Sequence, residues 1–209
     1  RKDNLIFTSA GDNTNFDNLW IDNNIYSNYD IFVVYYGNNE ETFNRYKQKV
    51  KYCYKRKGSK WQNLDYFYKK LPALFNQYER FFILDDDIIF DNVNAINELF
   101  DISKKYNLWI CGPTYKSNVK SKISWPVTKQ QEGNFMRYVN FIEVGVPLFN
   151  KYALDKVMAI YDPKLIGWGI DLLYIQILGI NKTNKYALVD KISCINPHDN
   201  AKKIKKREA

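Results

Sequence analysis

The chain has 209 residues, which is enough for one domain with a substantial hydrophobic core. Its three cysteines, Cys53, Cys111 and Cys194, are an odd number at wide spacing, which matches neither a disulfide framework nor a zinc site. We therefore expect buried thiols in a reducing compartment. The longest apolar runs are far shorter than the roughly 20 residues of a membrane helix, and no signal-peptide pattern opens the chain. These features predict a soluble domain.

The net charge of +8 is concentrated in two stretches. Residues 201–209 carry five basic side chains against Glu208, and residues 45–60 carry eight basic side chains and no acidic one. Because the rest of the chain is net negative, we do not expect a nucleic-acid partner. We predict one domain over residues 1–199 and a basic tail over residues 200–209 that is flexible or leads into a further domain. The 45–60 stretch is a candidate for contact with phosphate.

Strand and helix patterns alternate in the first half of the chain. Short β-branched and aromatic runs predict strands at residues 5–9, 29–36, 80–84 and 108–111, the last one stopped by Gly112-Pro113. Apolar side chains at helical spacing predict helices at 60–78, with a kink or restart at Pro72, and at 92–106, capped by Asn92. The alternation indicates an α/β three-layer sandwich with a mainly parallel central sheet.

The second half of the chain is less regular. Residues 114–135 are either a functional loop or a hairpin, because they are long for a connection without structure. Beyond them we expect a short segment at 138–143, a helix near 151–160, a turn at 167–169, a helix at about 171–178 and a last strand near 186–189. No internal repeat or linker divides the chain.

Three consecutive carboxylates, Asp85, Asp86 and Asp87, follow the buried strand predicted at residues 80–84. Ligands of open α/β sheets bind at the carboxyl ends of the strands, which is where these side chains fall. Adjacent anions repel one another, and a divalent cation relieves that repulsion. Carboxylate oxygens are hard ligands that favour Mg²⁺ or Mn²⁺, and either ion also binds the diphosphate of a nucleotide. The alternative is an acidic turn that caps the next helix.

Four motifs in this order carry a family resemblance: Phe7-Thr8-Ser9-Ala10-Gly11-Asp12-Asn13, Tyr35-Tyr36-Gly37-Asn38, the aspartate motif, and Gly167-Trp168-Gly169-Ile170-Asp171. Over residues 5–199 the chain resembles GT-A-fold glycosyltransferases that use nucleotide sugars. It is similar to an uncharacterised plant and bacterial family and to the amino-terminal domain of a multidomain glycosyltransferase of large algal (chlorella) viruses. The resemblance implies a GT-A-like fold and transfer of a hexose or deoxyhexose, such as glucose or rhamnose, from a UDP-sugar to a viral capsid glycan. It also implies a cytoplasmic location, in the host cell if the protein is viral.

The resemblance further implies which residues bind the donor and the metal. Asp85 or Asp86 contacts the ribose, and Asp87 is the principal ligand of Mn²⁺ (or Mg²⁺), together with Asp85. His198, the one histidine of the chain, is a candidate further ligand, since neutral imidazole suits Mn²⁺; the alternative is a solvated histidine in a terminal turn. The predicted nucleotide contacts are Thr8, Ser9, Ala10, Asp12, Lys57, Lys60 and Asp65. For Gly11-Asp12-Asn13 a plain turn is the alternative, and for each lysine a solvated surface position.

On the acceptor side, similar enzymes place an acid where Asp171 stands. We expect Asp171 to remove the proton of the acceptor hydroxyl in an inverting reaction, although a helix cap is the simpler interpretation of this residue. Trp168 and Trp125 are candidate acceptor contacts, because an indole face packs against a sugar ring. Glu143-Val144-Gly145 is a weaker candidate for the same side.

Two other functions are compatible with parts of the sequence. Some phosphatases and phosphotransferases use an Asp-x-Asp motif, but they place it on the first strand and usually follow it with threonine, whereas here Ile88 follows. A basic nucleic-acid-binding module would use residues 45–60 and the tail, but it leaves the aspartates unexplained. The sequence leaves the sugar, the linkage and the oligomeric state open.

Overall fold

The computed structural model describes residues 2–117, 121–182 and 184–197; His198 and the basic tail lie outside the described residues. Within that part of the chain, nine strands form one sheet. The strands are β1 (Asn4–Ala10), β2 (Tyr29–Tyr35), β3 (Tyr52–Lys55), β4 (Arg80–Ile83), β5 (Ile89–Phe90), β6 (Ile110–Tyr115), β7 (Arg137–Tyr138), β8 (Leu148–Asn150) and β9 (Tyr186–Ile195).

The sheet is mainly parallel, as predicted. Its order is β3-β2-β1-β4-β8-β6-β9-β5, and β7 pairs with β9. Strands β1 to β4 run parallel to one another, and β6 runs parallel to β9. Strand β8 is antiparallel to both β4 and β6. The carboxyl ends of β1 and β4 therefore meet at one edge of the sheet.

Helices cover both faces of this sheet. They are α1 (Phe16–Leu19), α2 (Glu40–Lys49), α3 (Lys60–Lys70), α4 (Pro72–Phe75), α5 (Val93–Lys105), α6 (Lys151–Met158) and α7 (Ile170–Leu178). Neighbouring residues of β1 point to opposite sides: Ile6 and Ala10 belong to one buried cluster, Leu5 and Phe7 to the other. Because the sheet is buried on both faces, its strands are continuous apolar runs, and the three-layer sandwich is confirmed.

Several predicted elements are confirmed with small shifts of their ends. Helix α5 begins after Asn92, whose side chain accepts a hydrogen bond from the Ala95 N–H at 3.0 Å. The helix predicted at 60–78 restarts at Pro72, because the proline occupies the first turn of α4, where no N–H donor is needed. Within the described residues 114–117 and 121–135 there is no hairpin; β6 ends at Tyr115, and a short 3₁₀ turn covers Pro126–Thr128.

The prediction that Gly112-Pro113 stops the sixth strand is wrong. Strand β6 continues to Tyr115 along β9, whereas its pairing with β8 covers only Ile110 and Cys111. Beyond Cys111, the described residues include no strand that pairs with the β8 side of β6, so the missing N–H of Pro113 breaks no ladder there. The last strand was also predicted too short, since β9 extends to Ile195.

The three cysteines carry free thiols; Cys111 and Cys194 are buried and Cys53 is half-buried. Burial raises the pKa of Cys53 to about 11 and that of Cys111 to about 12, so both thiols stay protonated. In the described part of the chain, the helices are too short or too polar to cross a membrane.

Candidate active site

The three aspartates lie at the carboxyl end of β4, as the sequence predicts. All four residues of β4 are buried, between β1 on one side and β8 on the other. The chain leaves the sheet at Leu84, and the N–H of Asp85 donates to the carbonyl of Gly145 at 2.9 Å. The aspartates therefore begin on a fixed backbone at the edge where ligands of α/β folds bind.

The aspartates point to two sides. Asp85 and Asp87 line an open cleft, whereas Asp86 is 2% exposed. The Asp86 carboxylate accepts a hydrogen bond from the Gly11 N–H at 3.3 Å, and its carbonyl accepts one from the Thr14 hydroxyl at 2.7 Å. Asp86 thus fastens the loop after β1 to the end of β4. Asp86 thus differs in its surroundings from Asp85 and Asp87, a distinction that the sequence motif does not show.

The cleft has a volume of about 350 Å³, and we call it the carboxylate cleft. It brings together predicted residues from distant parts of the chain. Its lining residues are Asp85, Asp87, Lys122, Ser124, Trp125, Glu143, Val144, Gly167, Trp168, Asp171 and Asn196. Four carboxylates and one lysine line it, so the cleft is acidic and suited to a cation.

Asp171 lies in the first turn of α7 and is 5% exposed. Burial raises the pKa of its carboxyl group, while backbone N–H groups, including those of Leu172 and Val144, partly offset that effect. The N-cap of α7 is Gly169, which has a φ of +88° and no side chain to cap with. Asp171 is therefore not the N-cap residue of α7, and it lines the carboxylate cleft.

Two indole rings flank the carboxylate cleft. Trp168 is 83% exposed, and Trp125, which is also exposed, packs against Phe141 with ring centroids 5.1 Å apart. Bare aromatic faces beside a polar cleft are the kind of surface on which sugar rings pack.

The predicted nucleotide contacts of the first motif lie next to the carboxylate cleft but do not line it. Thr8, Ser9 and Ala10 are buried at the end of β1, and the Ser9 hydroxyl accepts from Asn63 at 2.9 Å. Asp12 is exposed and accepts a hydrogen bond from the Tyr35 hydroxyl. These residues lie beside the aspartate motif, because Asp86 holds the loop that follows them.

Lys57 and Asp65 do not line the carboxylate cleft. They line a separate surface depression of about 600 Å³ along α3, and Asp65 is buried against Lys69 at 2.7 Å. Lys60 turns inward instead, with its ammonium group 2.8 Å from Asp85 Oδ1. A direct phosphate contact was predicted for Lys60, but its ammonium group is already bonded within the fold.

The basic stretch 45–60 is not one surface, because it runs through α2, β3 and the start of α3. Arg45 and Lys49 both approach the buried Asp17, at 3.4 and 3.5 Å. Two more of its lysines pair with acidic residues, as Lys51–Asp30 and Lys55–Glu40. Much of this positive charge is therefore balanced by ion pairs within the chain.

The donor chemistry of the carboxylate cleft fits a divalent metal ion. Asp85 and Asp87 offer the carboxylate oxygens that Mg²⁺ and Mn²⁺ prefer, and such ions often take one or two carboxylates plus substrate phosphates. Within residues 2–117, 121–182 and 184–197, no group of three or more His, Cys, Asp or Glu side chains is placed to hold a metal. His198, the predicted further ligand, lies outside the described residues.

Three cleft residues, Lys122, Ser124 and Asn196, were not predicted. Lys122 and Ser124 belong to the irregular segment after β6, which has no periodic signal to mark it. Asn196 follows β9 and is buried, two residues before His198. The one sequence feature that could have pointed to Asn196 is its position close to His198, the predicted metal ligand.

Comparison with known proteins identifies the family. A family described as "Protein of unknown function (DUF707)" matches residues 2–207. The chain belongs to the DUF707 family. No curated protein matches this DUF707 chain by sequence.

Solved structures share the fold of the DUF707 chain. TarS from S. aureus (1–349) aligns with a TM-score of 0.60 and 10% identity, over 93% of this chain and 59% of that one. The mannosyltransferase PcManGT from Pyrobaculum calidifontis, in complex with GDP-Man and Mn²⁺, aligns with 0.61 and 10%, over 96% and 58%. GalNAc-T7 with UDP, GalNAc and Mn²⁺ aligns with 0.54 and 11%, over 91% and 43%. The chain thus has the predicted GT-A fold and spans 59% of the TarS chain.

Proposed function

We propose that this DUF707 protein is a metal-dependent glycosyltransferase that moves a sugar from a nucleotide diphosphate to an acceptor hydroxyl. The observation that carries the proposal is the carboxylate cleft, where Asp85 and Asp87 of the β4 end line the same space as Asp171 of α7. The GT-A fold supports it, since TarS has been solved with UDP and PcManGT with GDP-Man and Mn²⁺.

The donor lies at the β1 and β4 ends. Asp85 contacts the ribose, and Asp87 is the principal ligand of Mn²⁺ or Mg²⁺, which when bound offsets negative charge on the diphosphate. The base and ribose lie over the loop at Asp12, whose backbone Asp86 fixes. His198 remains the proposed further ligand.

The acceptor lies on the Trp125 and Trp168 side of the cleft. Asp171 takes the proton from the acceptor hydroxyl, whose oxygen forms a bond to the anomeric carbon of the donor sugar. The bond from that carbon to the diphosphate oxygen breaks, and the diphosphate leaves with the electron pair. Direct displacement of this kind inverts the anomeric configuration. A positioned base contributes about 10²–10⁴-fold to such a rate, and the raised pKa of Asp171 suits the role.

The four sequence motifs support a more specific donor and acceptor. They favour a UDP-linked hexose or deoxyhexose of the glucose or rhamnose type, transferred to a viral capsid glycan in the host cytoplasm. Because two nucleotides occur among the fold neighbours, the donor nucleotide is tested first.

The test is calorimetric titration of UDP and of GDP into the protein, with Mn²⁺ and with a chelator. We expect Mn²⁺-dependent binding of UDP that Asp87→Ala abolishes. Asp91→Ala is the matched control, because Asp91 lies on the same segment and is exposed. Its carboxylate pairs with Lys116 at 2.5 Å. Absence of nucleotide binding under every condition would overturn the proposal.

A further inference from the structure

Lys60 occupies a position that does not favour a lysine. It is the first residue of α3, after a capping box formed by Ser59 and Gln62. The amino end of a helix carries partial positive charge, so a cation is disfavoured there. The side chain is nevertheless only 9% exposed and points into the fold. The Lys60 side chain must therefore be held in this position by contacts outside its own helix.

The Lys60 ammonium group is bonded on all sides. It donates to the carbonyl of Ile83 at 3.0 Å and to the carbonyl of Val144 at 2.9 Å. Asp85 Oδ1 lies 2.8 Å away, and the carbonyl of Gly145 is more distant, at 3.4 Å. An ammonium group has three N–H donors, which matches the three short contacts. Lys60 cannot bind a phosphate without giving up one of them.

Val144 connects this ammonium group to the other side of the carboxylate cleft. Its carbonyl accepts from Lys60, while its backbone N–H lies near Asp171 across the same cleft and lowers the pKa of that carboxyl group. The next carbonyl, that of Gly145, accepts from the backbone N–H of Asp85 at 2.9 Å. One short segment therefore joins the donor-side and acceptor-side carboxylates, and Lys60 is its buried anchor.

We propose that Lys60 is a positioning residue that holds Asp85 directly, and Asp171 through the Val144 peptide, in one fixed arrangement. The inference rests on the proposed function, since it assigns Asp85 to the donor and Asp171 to the acceptor. It replaces direct phosphate contact as the role of Lys60. Its consequence is that loss of one ammonium group loosens both halves of the site.

Lys60→Met tests this, because methionine keeps much of the length and removes the charge. It leaves buried carbonyls without a donor and Asp85 without its counter-ion. We expect faster amide exchange over residues 141–147, which contain the Val144 N–H, and about 10–100-fold weaker Mn²⁺-dependent UDP binding, the range typical of lost outer-shell support. Lys70→Met is the matched control on the same helix, since Lys70 is exposed and donates to the Tyr66 hydroxyl at the surface.

A second variant separates positioning from folding. In Lys60→Met with Asp85→Asn, the half-exposed carboxylate that lost its counter-ion is replaced by a neutral amide, so we expect thermal stability to recover in part. If Lys60→Met alone fails to fold, the double variant takes its place in both experiments and is compared with Asp85→Asn alone, so that only the loss of the ammonium group is measured.

The outcomes are distinct. Faster exchange at 141–147 together with weaker UDP binding supports the positioning role. Unchanged exchange, or faster exchange with unchanged UDP affinity, overturns it while the glycosyltransferase proposal stands. If the wild-type protein binds no nucleotide, the proposed function fails and the inference fails with it.

Discussion

The Asp86 carboxylate accepts a hydrogen bond from the backbone N–H of Gly11 at 3.3 Å, across 75 positions of the sequence. Its two neighbours, Asp85 and Asp87, line the carboxylate cleft instead. The three consecutive aspartates therefore have different roles: the middle one supports the loop after β1, and the outer two line the carboxylate cleft.

This division predicts opposite effects of two matched substitutions. Asp86→Ala removes a buried hydrogen bond and should lower the free energy of unfolding by about 1–3 kcal/mol, because a buried donor loses its partner. Asp87→Ala should abolish Mn²⁺-dependent UDP binding, because Asp87 is the proposed metal ligand. Thermal melts and calorimetry measure the two effects. A loss of metal-dependent binding in Asp86→Ala at wild-type stability would show that the middle aspartate is a metal ligand.

Asp171→Asn is expected to stabilise the protein and to remove transfer. Burial raises the pKa of Asp171 above its ordinary value, so the folded state holds the proton more tightly than the unfolded chain. Wild-type stability therefore falls as pH rises from about 3.9 through the raised pKa, and asparagine avoids that loss. We therefore expect a higher Tm for Asp171→Asn than for the wild-type protein at neutral pH, measured by thermal melts.

The same carboxyl group sets the pH dependence of transfer. A general base acts only when deprotonated, so kcat/KM should fall as pH drops through the raised pKa of Asp171. Residual transfer by Asp171→Asn with an unchanged acid limb would assign the base to another residue. Melts at pH 4 and pH 7 provide the matching stability control, since the variant should gain only at the higher pH.

Gly169 and Gly167 flank the same tryptophan but differ in backbone conformation. Gly169 has a φ of +88°, in the left-handed region that disfavours other residues, and Gly167 does not. An added Cβ meets nothing within 4 Å at either position, so contacts do not distinguish them. We expect Gly169→Ala to cost about 1–2 kcal/mol and Gly167→Ala to be neutral or slightly stabilising. Equal melting temperatures for the two variants would contradict this.

The sequence predicted the β4 end and the acidic motif because both depend on local pattern. A short buried run followed by charges marks a strand end, and parallel strands bring their carboxyl ends to one edge. The helix α2 escaped prediction because Tyr46 is its one buried residue, so apolar spacing did not reveal it. The three-residue strand β8 escaped too, since its pairing with β4 and β6 is a long-range event.

Side-chain direction was the part of the site that the sequence did not reveal. Lys57 and Lys60 are the same residue type three positions apart, yet Lys57 is exposed and Lys60 is buried against Asp85. The difference depends on carbonyls of Ile83 and Val144, which are distant in the chain. Residue type and spacing do not reveal such distant partners, so the sequence predicts a phosphate contact for both lysines.

Gly145 leaves little room for a side chain beside Asp85. A Cβ at this position lies 3.0 Å from Asp85 Oδ2 and 3.5 Å from the Tyr115 hydroxyl, so Gly145→Ala must displace the Asp85 carboxylate. We expect about tenfold weaker UDP binding with Mn²⁺, together with a stability loss of about 1–3 kcal/mol from overpacking. Gly167→Ala is the control, because it adds the same methyl group to the cleft wall in open space. If Gly145→Ala loses stability but keeps its UDP affinity, then Asp85 does not contact the donor.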